Sequence, residues 1–389
     1  MTRASWCRRI LALVPALLLV ATGSSAQTGQ PIKIGGVWDL TGPSSAGNGQ
    51  VARRAIELRV EQVNKAGGIN GRPIQLVVED EKGQPTEAVA AVNKLINQDK
   101  VDALVGFTTS GSGQGAMPII ERSGIPWVGG VSAAVFSTPP KKWVFQHVPT
   151  NDQFIVRTMQ FLKQRRITTF AMINDSGAYG VDAEKAAEAK MGEFALTMVA
   201  HEKFNQGDTD LTSQLTKIKA ANPQAIIIWT TDARAASAAA KGAKQVGVTA
   251  MLLGSSGHAN KTFLSLAGSA AEGYLVALTK TYVMSSLADG DAQKKLLRTY
   301  VADFQAKYGA DADYLKGDYP YDQISVLLDG IKRAGSADKD KVRQALEQTA
   351  QWQGVTGTIT WTPTKRTGIQ ASDLIIGKLS NGAWGLESQ

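Results

Sequence analysis

The sequence predicts an α/β protein built as two similar units, each a parallel sheet covered by helices. Three observations carry that expectation. A chain of 389 residues, 43% apolar and 20% charged, is long enough for two or three globular units with buried cores. From residue 27 onward, short strand-like apolar runs alternate with stretches of helical periodicity, the pattern of parallel sheets with helices on both faces. That alternation restarts near residue 148 and changes character near 277, which sets the expected boundaries. Ordinary apolar content without charge blocks excludes collagen-like, coiled-coil and disordered classes.

In the first unit a strand is expected over 32–37, carried by Ile32, Ile34 and Val37. Val51, Ala55, Leu58 and Val63 recur at helical spacing and predict a helix over 50–66. Gly67-Gly68 and Asn70-Gly71 punctuate the chain before a second strand at 74–79. A helix at 87–98, a strand at 101–106, a helix at 115–122 and strands at 125–129 and 144–148 follow. In the second unit the expected order is helix 150–165, strand 169–173, helix 179–194, strand 196–202, helix 210–221 and strand 225–229. An Ala/Lys-rich helix at 233–246 and strands at 251–254 and 273–278 complete it. Helical stretches at 291–308, 319–334 and 338–350 come next, and the end is β-rich at 355–361, 374–379 and around Trp384. There is no repeat at solenoid periods and no low-complexity segment.

Residues 1–26 predict export. Arg3, Arg8 and Arg9 form a positive region without any acid, Ile10 to Ala21 is apolar, and Ser24-Ser25-Ala26 fits cleavage before Gln27. The apolar run falls short of the roughly 20 residues a spanning helix needs. Arg8-Arg9 alone does not separate the general from the twin-arginine route. Cys7, the single cysteine, precedes the apolar run rather than the cleavage point, so a lipid anchor is not expected. The mature chain would lack thiols, which a protein of this size tolerates. Cleavage lowers the formal charge from +8 to +5, because three arginines leave. The remaining basic residues form no cluster, so a nucleic-acid partner is not expected.

One segment stands out for chemistry: 106–115, with Ser110, Gly111 and Ser112 at its centre, follows a strand and opens a helix. In an open α/β sheet that edge is where ligands bind, and backbone N–H groups at a helix start favour an anion such as a carboxylate. The spacing is neither GxGxxG nor GxxxxGK, so nucleotide binding lacks its fingerprint. The turn Val131-Ser132-Ala133-Ala134 follows the next strand and should lie beside the first. A third strand-to-helix turn, 174–180, carries Tyr179, which could cover an apolar ligand or simply pack at a helix start. His147, His201 and His258 are far apart in sequence and no HExxH occurs, so no metal, cofactor or catalytic group is expected. Gly254-Ser255-Ser256-Gly257-His258 lacks the last glycine of a nucleophile elbow, leaving a Ser256/His258 hydrolase as a distant alternative. Glu79-Asp80-Glu81 after a strand could bind a cation but reads better as a solvated loop.

Several segments jointly resemble the leucine/isoleucine/valine-binding family of extracytoplasmic solute-binding proteins of ABC importers. They are Leu40-Thr41-Gly42-Pro43, the run from Val63 to Arg72, Val77-Val78-Glu79-Asp80 and Gly124-Ile125-Pro126. Asp175 with Tyr179-Gly180, and Ala270-Ala271-Glu272-Gly273, extend the likeness over nearly the whole mature chain. The resemblance implies two Rossmann-like lobes with parallel central sheets joined by a three-crossover hinge, the type I periplasmic binding fold. Lobe 1 would be 27–147 plus 277–352 and lobe 2 148–276 plus 353–389. It further implies a periplasmic, monomeric, non-enzymatic receptor that delivers a small carboxylate to the permease and ATPase of an importer.

By that resemblance the ligand carboxylate meets Ser110 and backbone groups at Val131 and Ala133, and Tyr179 faces it from the opposite lobe. Relatives that bind amino acids place an acid for the α-ammonium where this chain has Ser256, with Asp232 nearby as a substitute. The aromatic expected after Gly42-Pro43 is also replaced, with Asn48 near its place. A hydrophobic amino acid is therefore one expected ligand, and an aromatic or aliphatic acid without an ammonium is the other. The same cleft in a sensory module is a further alternative.

Overall fold

The structure, a computed structural model, describes residues 1–2 and 29–387. The expected export segment lies almost wholly outside the described residues. Among those residues no helix is long and apolar enough to cross a membrane.

Strands β1 (Ile32–Trp38), β2 (Ile74–Asp80), β3 (Ala103–Gly106), β4 (Trp127–Gly129) and β5 (Val144–Gln146) form an all-parallel sheet in the order β2-β1-β3-β4-β5. Strands β6 (Thr169–Asp175), β7 (Thr197–Phe204), β8 (Ala225–Trp229), β9 (Met251–Gly254) and β10 (Leu275–Leu278) are parallel in a second sheet. A small antiparallel pair, β11 (Trp352–Gln353) and β12 (Thr358–Ile359), stands apart. The chain then adds antiparallel strands β13 (Ile375–Ser380) and β14 (Ala383–Leu386) beside β10, giving the order β14-β13-β10-β9-β8-β6-β7. Strands buried on both faces read as continuous apolar runs, and Ala225-Ile226-Ile227-Ile228-Trp229 is one, fully buried.

Helix starts follow local chemistry. Helix Asn151–Gln164 opens on a reciprocal capping box: Gln153 N–H donates to Thr150 Oγ1 (3.2 Å), and Thr150 N–H donates to Gln153 Oε1 (2.8 Å). Helix Ser110–Ser123 starts at the serine rather than at Gly115, because Thr109 caps it through Ser112 N–H (3.2 Å). Gly124, left-handed at φ 62°, ends it. Helix Lys261–Ala267, capped by Asn260, was not anticipated.

The lobe boundaries differ from those expected in two places. Strand β10 pairs in parallel with β9, so the second sheet runs through Leu278. At the other end, Ile359, Trp361 and Ile369 are buried in the first lobe's core, where Trp361 packs edge-on against Phe145 at 5.3 Å. Arg366 donates to the carbonyls of Lys141 (3.0 Å) and Lys142 (3.2 Å) and ion-pairs with Glu347 at 2.5 Å. The first lobe therefore keeps the chain to about residue 369, not 352. The β-rich pattern from 353 onward hides this, because pairing with β10 begins only at Ile375.

The chain passes between the lobes after β5, after β10 and before β13. These passages are tied together. Gly368 N–H donates to the Gln146 carbonyl (2.8 Å), and Ile369 N–H to that of His147 (3.3 Å). Two buried carboxylates in the first turns of helix Asp318–Ala334 support them, Asp318 at the passage after β10 and Asp322 at the segment whose Thr356 lies 3.4 Å from His147, just after β5. Asp318 accepts the hydroxyls of Thr279 (2.6 Å) and Thr281 (2.8 Å). Asp322 accepts N–H groups of Val355 (3.0 Å) and Thr356 (2.8 Å) and the Thr356 hydroxyl (2.5 Å). Burial pushes the Asp322 carboxyl up to about 7 against the pull of those donors.

Replacing Asp322 by alanine leaves those donors unpaired in the core, at a cost of roughly 2–4 kcal/mol of unfolding free energy. A urea titration reads the loss, and an unchanged midpoint would remove Asp322 from the hinge.

Candidate functional site

The carboxyl ends of β1, β3 and β4 face those of β6, β8 and β9 across a cleft, the place where open α/β sheets take ligands. The cavity there has a volume of about 110 Å³. A single water needs roughly 10–15 Å³ by the same measure, so a small organic solute fits. The walls are aromatic and small: Trp38, Phe107, Phe154, Tyr179 and Tyr319, with Ser110, Ser132 and Ser256 between them. The lobes also touch at the rim, where Ala134 N–H donates to both Asp182 carboxylate oxygens (3.2 Å each).

Ser110 is the first residue of its helix, 2% exposed, and lines the cleft. Its Oγ accepts the Ala133 N–H (3.3 Å), which leaves the hydroxyl hydrogen to donate. The N–H groups of Ser110 and Gly111, at the positive helix end, have no acceptor among the described residues. Part of the expected anion turn is already spent: Thr108 N–H donates to the buried Glu81 carboxylate (2.9 Å). Burial dominates at Glu81 and lifts its carboxyl to about 8.

The other expected residues divide. Val131, Tyr179 and Ser256 line the cavity. Tyr179 lies nearly parallel to the Trp229 ring at 5.8 Å, which fixes it as part of the wall. Ala133 does not line it, since its N–H goes to Ser110 and its carbonyl accepts from Gln146 (3.2 Å). Ser112 turns inward to Thr109 (3.0 Å), and Gly111 borders a neighbouring crevice. Asp232 is not at the cavity. It caps helix Ala233–Gln245 through Arg234 N–H (2.8 Å) and pairs with the Arg234 guanidinium (2.9 Å), so its charge is neutralised locally, and Thr231 lines the cleft instead. The Ser256/His258 pair does not form. His258 Nε2 donates to the Thr230 carbonyl (2.9 Å), leaving Nδ1 to accept from the Tyr274 hydroxyl (3.0 Å). Burial holds its imidazole down to about 3.

Sequence reasoning missed the aromatic floor and the residues before and within helix Asp318–Ala334. Trp38 at the end of β1 supplies the aromatic that is absent after Pro43. The Tyr319 hydroxyl and Gln323 Oε1 are buried without a protein partner among the described residues, and both residues line the cleft. Buried polar atoms are ordinarily paired, so these await a ligand or water. Lys316 also lines the cleft and donates to the Ser256 carbonyl across it.

One cluster outside the cleft could bear on a metal. Glu184, Glu188 and His201 bring ligand atoms within 4.8 Å of one another. Lys203 already pairs with Glu184 (2.9 Å), and His201 Nε2 is bonded to Asn174 (2.7 Å).

Comparison with known proteins gives one consistent picture. Residues 31–383 match a family model described as periplasmic binding protein. The leucine-, isoleucine-, valine-, threonine- and alanine-binding protein of Pseudomonas aeruginosa is 28% identical over 341 residues, covering 87% of this chain and 88% of that one. The Leu/Ile/Val-binding protein homolog 3 of Brucella melitensis is 27% identical, covering 91% and 94%. An extracellular ligand-binding receptor from Rhodopseudomonas palustris HaA2 superposes with a TM-score of 0.85 at 22% identity, over 92% of this chain and 99% of that one.

Ser110→Ala should weaken binding of a carboxylate by about 1–3 kcal/mol in calorimetry, the worth of a hydrogen bond to a charged group. Asp232→Asn should leave affinity unchanged, since Asn caps a helix equally well and the Asp232 charge is off the cavity wall and paired with Arg234. Unchanged binding in the first variant, or lost binding in the second, would reverse the assignment.

Proposed function

The chain belongs to the periplasmic binding protein family, of the type I, leucine/isoleucine/valine-binding kind, and from that premise we propose that it is the solute-binding component of an ABC importer. The observation that carries this reading is the interlobe cavity, with a free serine hydroxyl and free helix-start N–H groups on one wall and aromatic rings around it. A carboxylate at Ser110 would receive charge-assisted donors, while its apolar body packs on Trp38, Phe107 and Tyr179. Such a protein works outside the cytoplasm, which agrees with the export signal expected at 1–26.

The mechanism is hinged closure. The lobes are joined by the three tied crossovers and face each other across the cleft, so a solute that touches both walls stabilises the closed form. The closed pair of lobes is then the surface a membrane permease reads, and its ATPase drives release. The relatives' printed names, for leucine, isoleucine and valine among others, favour a hydrophobic body for the solute. The relatives are named for binding, which supports a chain that acts by binding its solute.

A thermal-shift screen of small carboxylates, amino and non-amino alike, tests the reading. A true ligand at 100 times its Kd should add about 2.7 kcal/mol of stability. Shifts from neutral amides or amines, with none from any acid, would contradict a carboxylate site.

A further inference from the structure

Resting on the cleft as the solute site, we propose that the natural solute is an organic acid with no ammonium group, its second polar group an oxygen acceptor held by Lys316. Lys316 is the only charged side chain among the described residues lining the cavity. It stands in the short turn Leu315–Gly317 and reaches across to donate to the carbonyl of Ser256 in the other lobe. Its ammonium also lies 5.8 Å from the centre of the Tyr282 ring. Its one hydrogen-bond acceptor among the described residues is that Ser256 carbonyl, while Asp318 and Asp313 act on it from outside the cavity wall. Burial pushes the ammonium down to about 8, with Asp318 and Asp313 opposing, which leaves it charged at neutral pH.

None of the neighbouring acids lines the cavity, and each is engaged elsewhere. Asp232 pairs with Arg234, Asp182 takes Ala134 N–H and the Asn151 amide, and Asp318 takes Thr279 and Thr281. Asp175 accepts the Gly177 N–H (2.8 Å), and Asp39 those of Gly42 and Ser44. An amino acid in this cavity would bring its ammonium to a wall whose one charged side chain among the described residues is itself an ammonium, a like-charge juxtaposition that disfavours binding. An oxo, hydroxyl or second carboxylate oxygen has the opposite effect, accepting from Lys316 while the first carboxylate sits at Ser110. The Gln323 amide can present either oxygen or nitrogen to such a group.

Calorimetry with matched pairs decides the matter: leucine against 4-methyl-2-oxopentanoate, and phenylalanine against phenylpyruvate. Each pair differs only in amino versus oxo on the α-carbon. The oxo acid of at least one pair should bind about tenfold or more tighter than its amino partner, and Lys316→Met should remove most of that preference. Lys316→Arg, which keeps the charge, should retain it. Equal or tighter binding of the amino acids would overturn the inference while leaving the cleft as a carboxylate site. A preference that persists in a folded Lys316→Met protein would remove Lys316 from the choice. If no member of either pair bound, the inference would fail for these acids. A failed carboxylate screen as well would take the reading of the cleft with it.

Discussion

The turn before helix Asp318–Ala334 and its first two turns constrain everything else. Asp318 accepts from the passage after β10, and Asp322, four residues on along the same face, from the Val355–Thr356 segment that lies against His147 at the first passage. Tyr319 and Gln323, and Lys316 just before the helix, face the cleft. Buried carboxylates of this kind are tolerable only because donors satisfy them, and removing either partner leaves a costly orphan. Hinge and binding wall are thus one piece of secondary structure. A change in how the passages lie must move the groups that meet the solute.

Strand and helix positions were legible because the physics behind them is local. Fully buried parallel strands such as β8 announce themselves as apolar runs, and the strand-to-helix turns at Ser110 and Tyr179 fall at the sheet edge by topology alone. What local pattern cannot carry is long-range pairing. Lys316 sits in the short turn Leu315–Gly317 between two helices, with no motif around it, and meets Ser256 at a sequence separation of 60. Asp232 looked available from its position after β8, yet Arg234 two residues on neutralises it. The same limit explains the stretch 353–369, whose apolar residues fit either lobe until Phe145 and Glu347 are placed beside Trp361 and Arg366. Helix Lys261–Ala267 is too short for its periodicity to rise above the surrounding loop.

Within the cleft, charge is arranged with economy. Glu81 fills the inner N–H groups of the 106–115 turn, so the free donors are confined to its outer end at Ser110 and Gly111. Acids around the cavity are turned away into caps and hinge contacts, and the one charged group left facing inward is positive. Preformed donors lower the ordering cost of binding, which is how a small solute with few heavy atoms can be held firmly. The aromatic walls then select for shape and apolar surface rather than charge.

The most direct test of this account is a crystal structure of the protein with a bound organic acid. The account predicts the solute between the lobes, one carboxylate oxygen within hydrogen-bond reach of Ser110 Oγ and the Gly111 N–H, and an oxygen acceptor facing Lys316 Nζ. A solute lodged instead in the crevice beside Arg59 and Trp352, or one whose ammonium approaches Lys316, would contradict it.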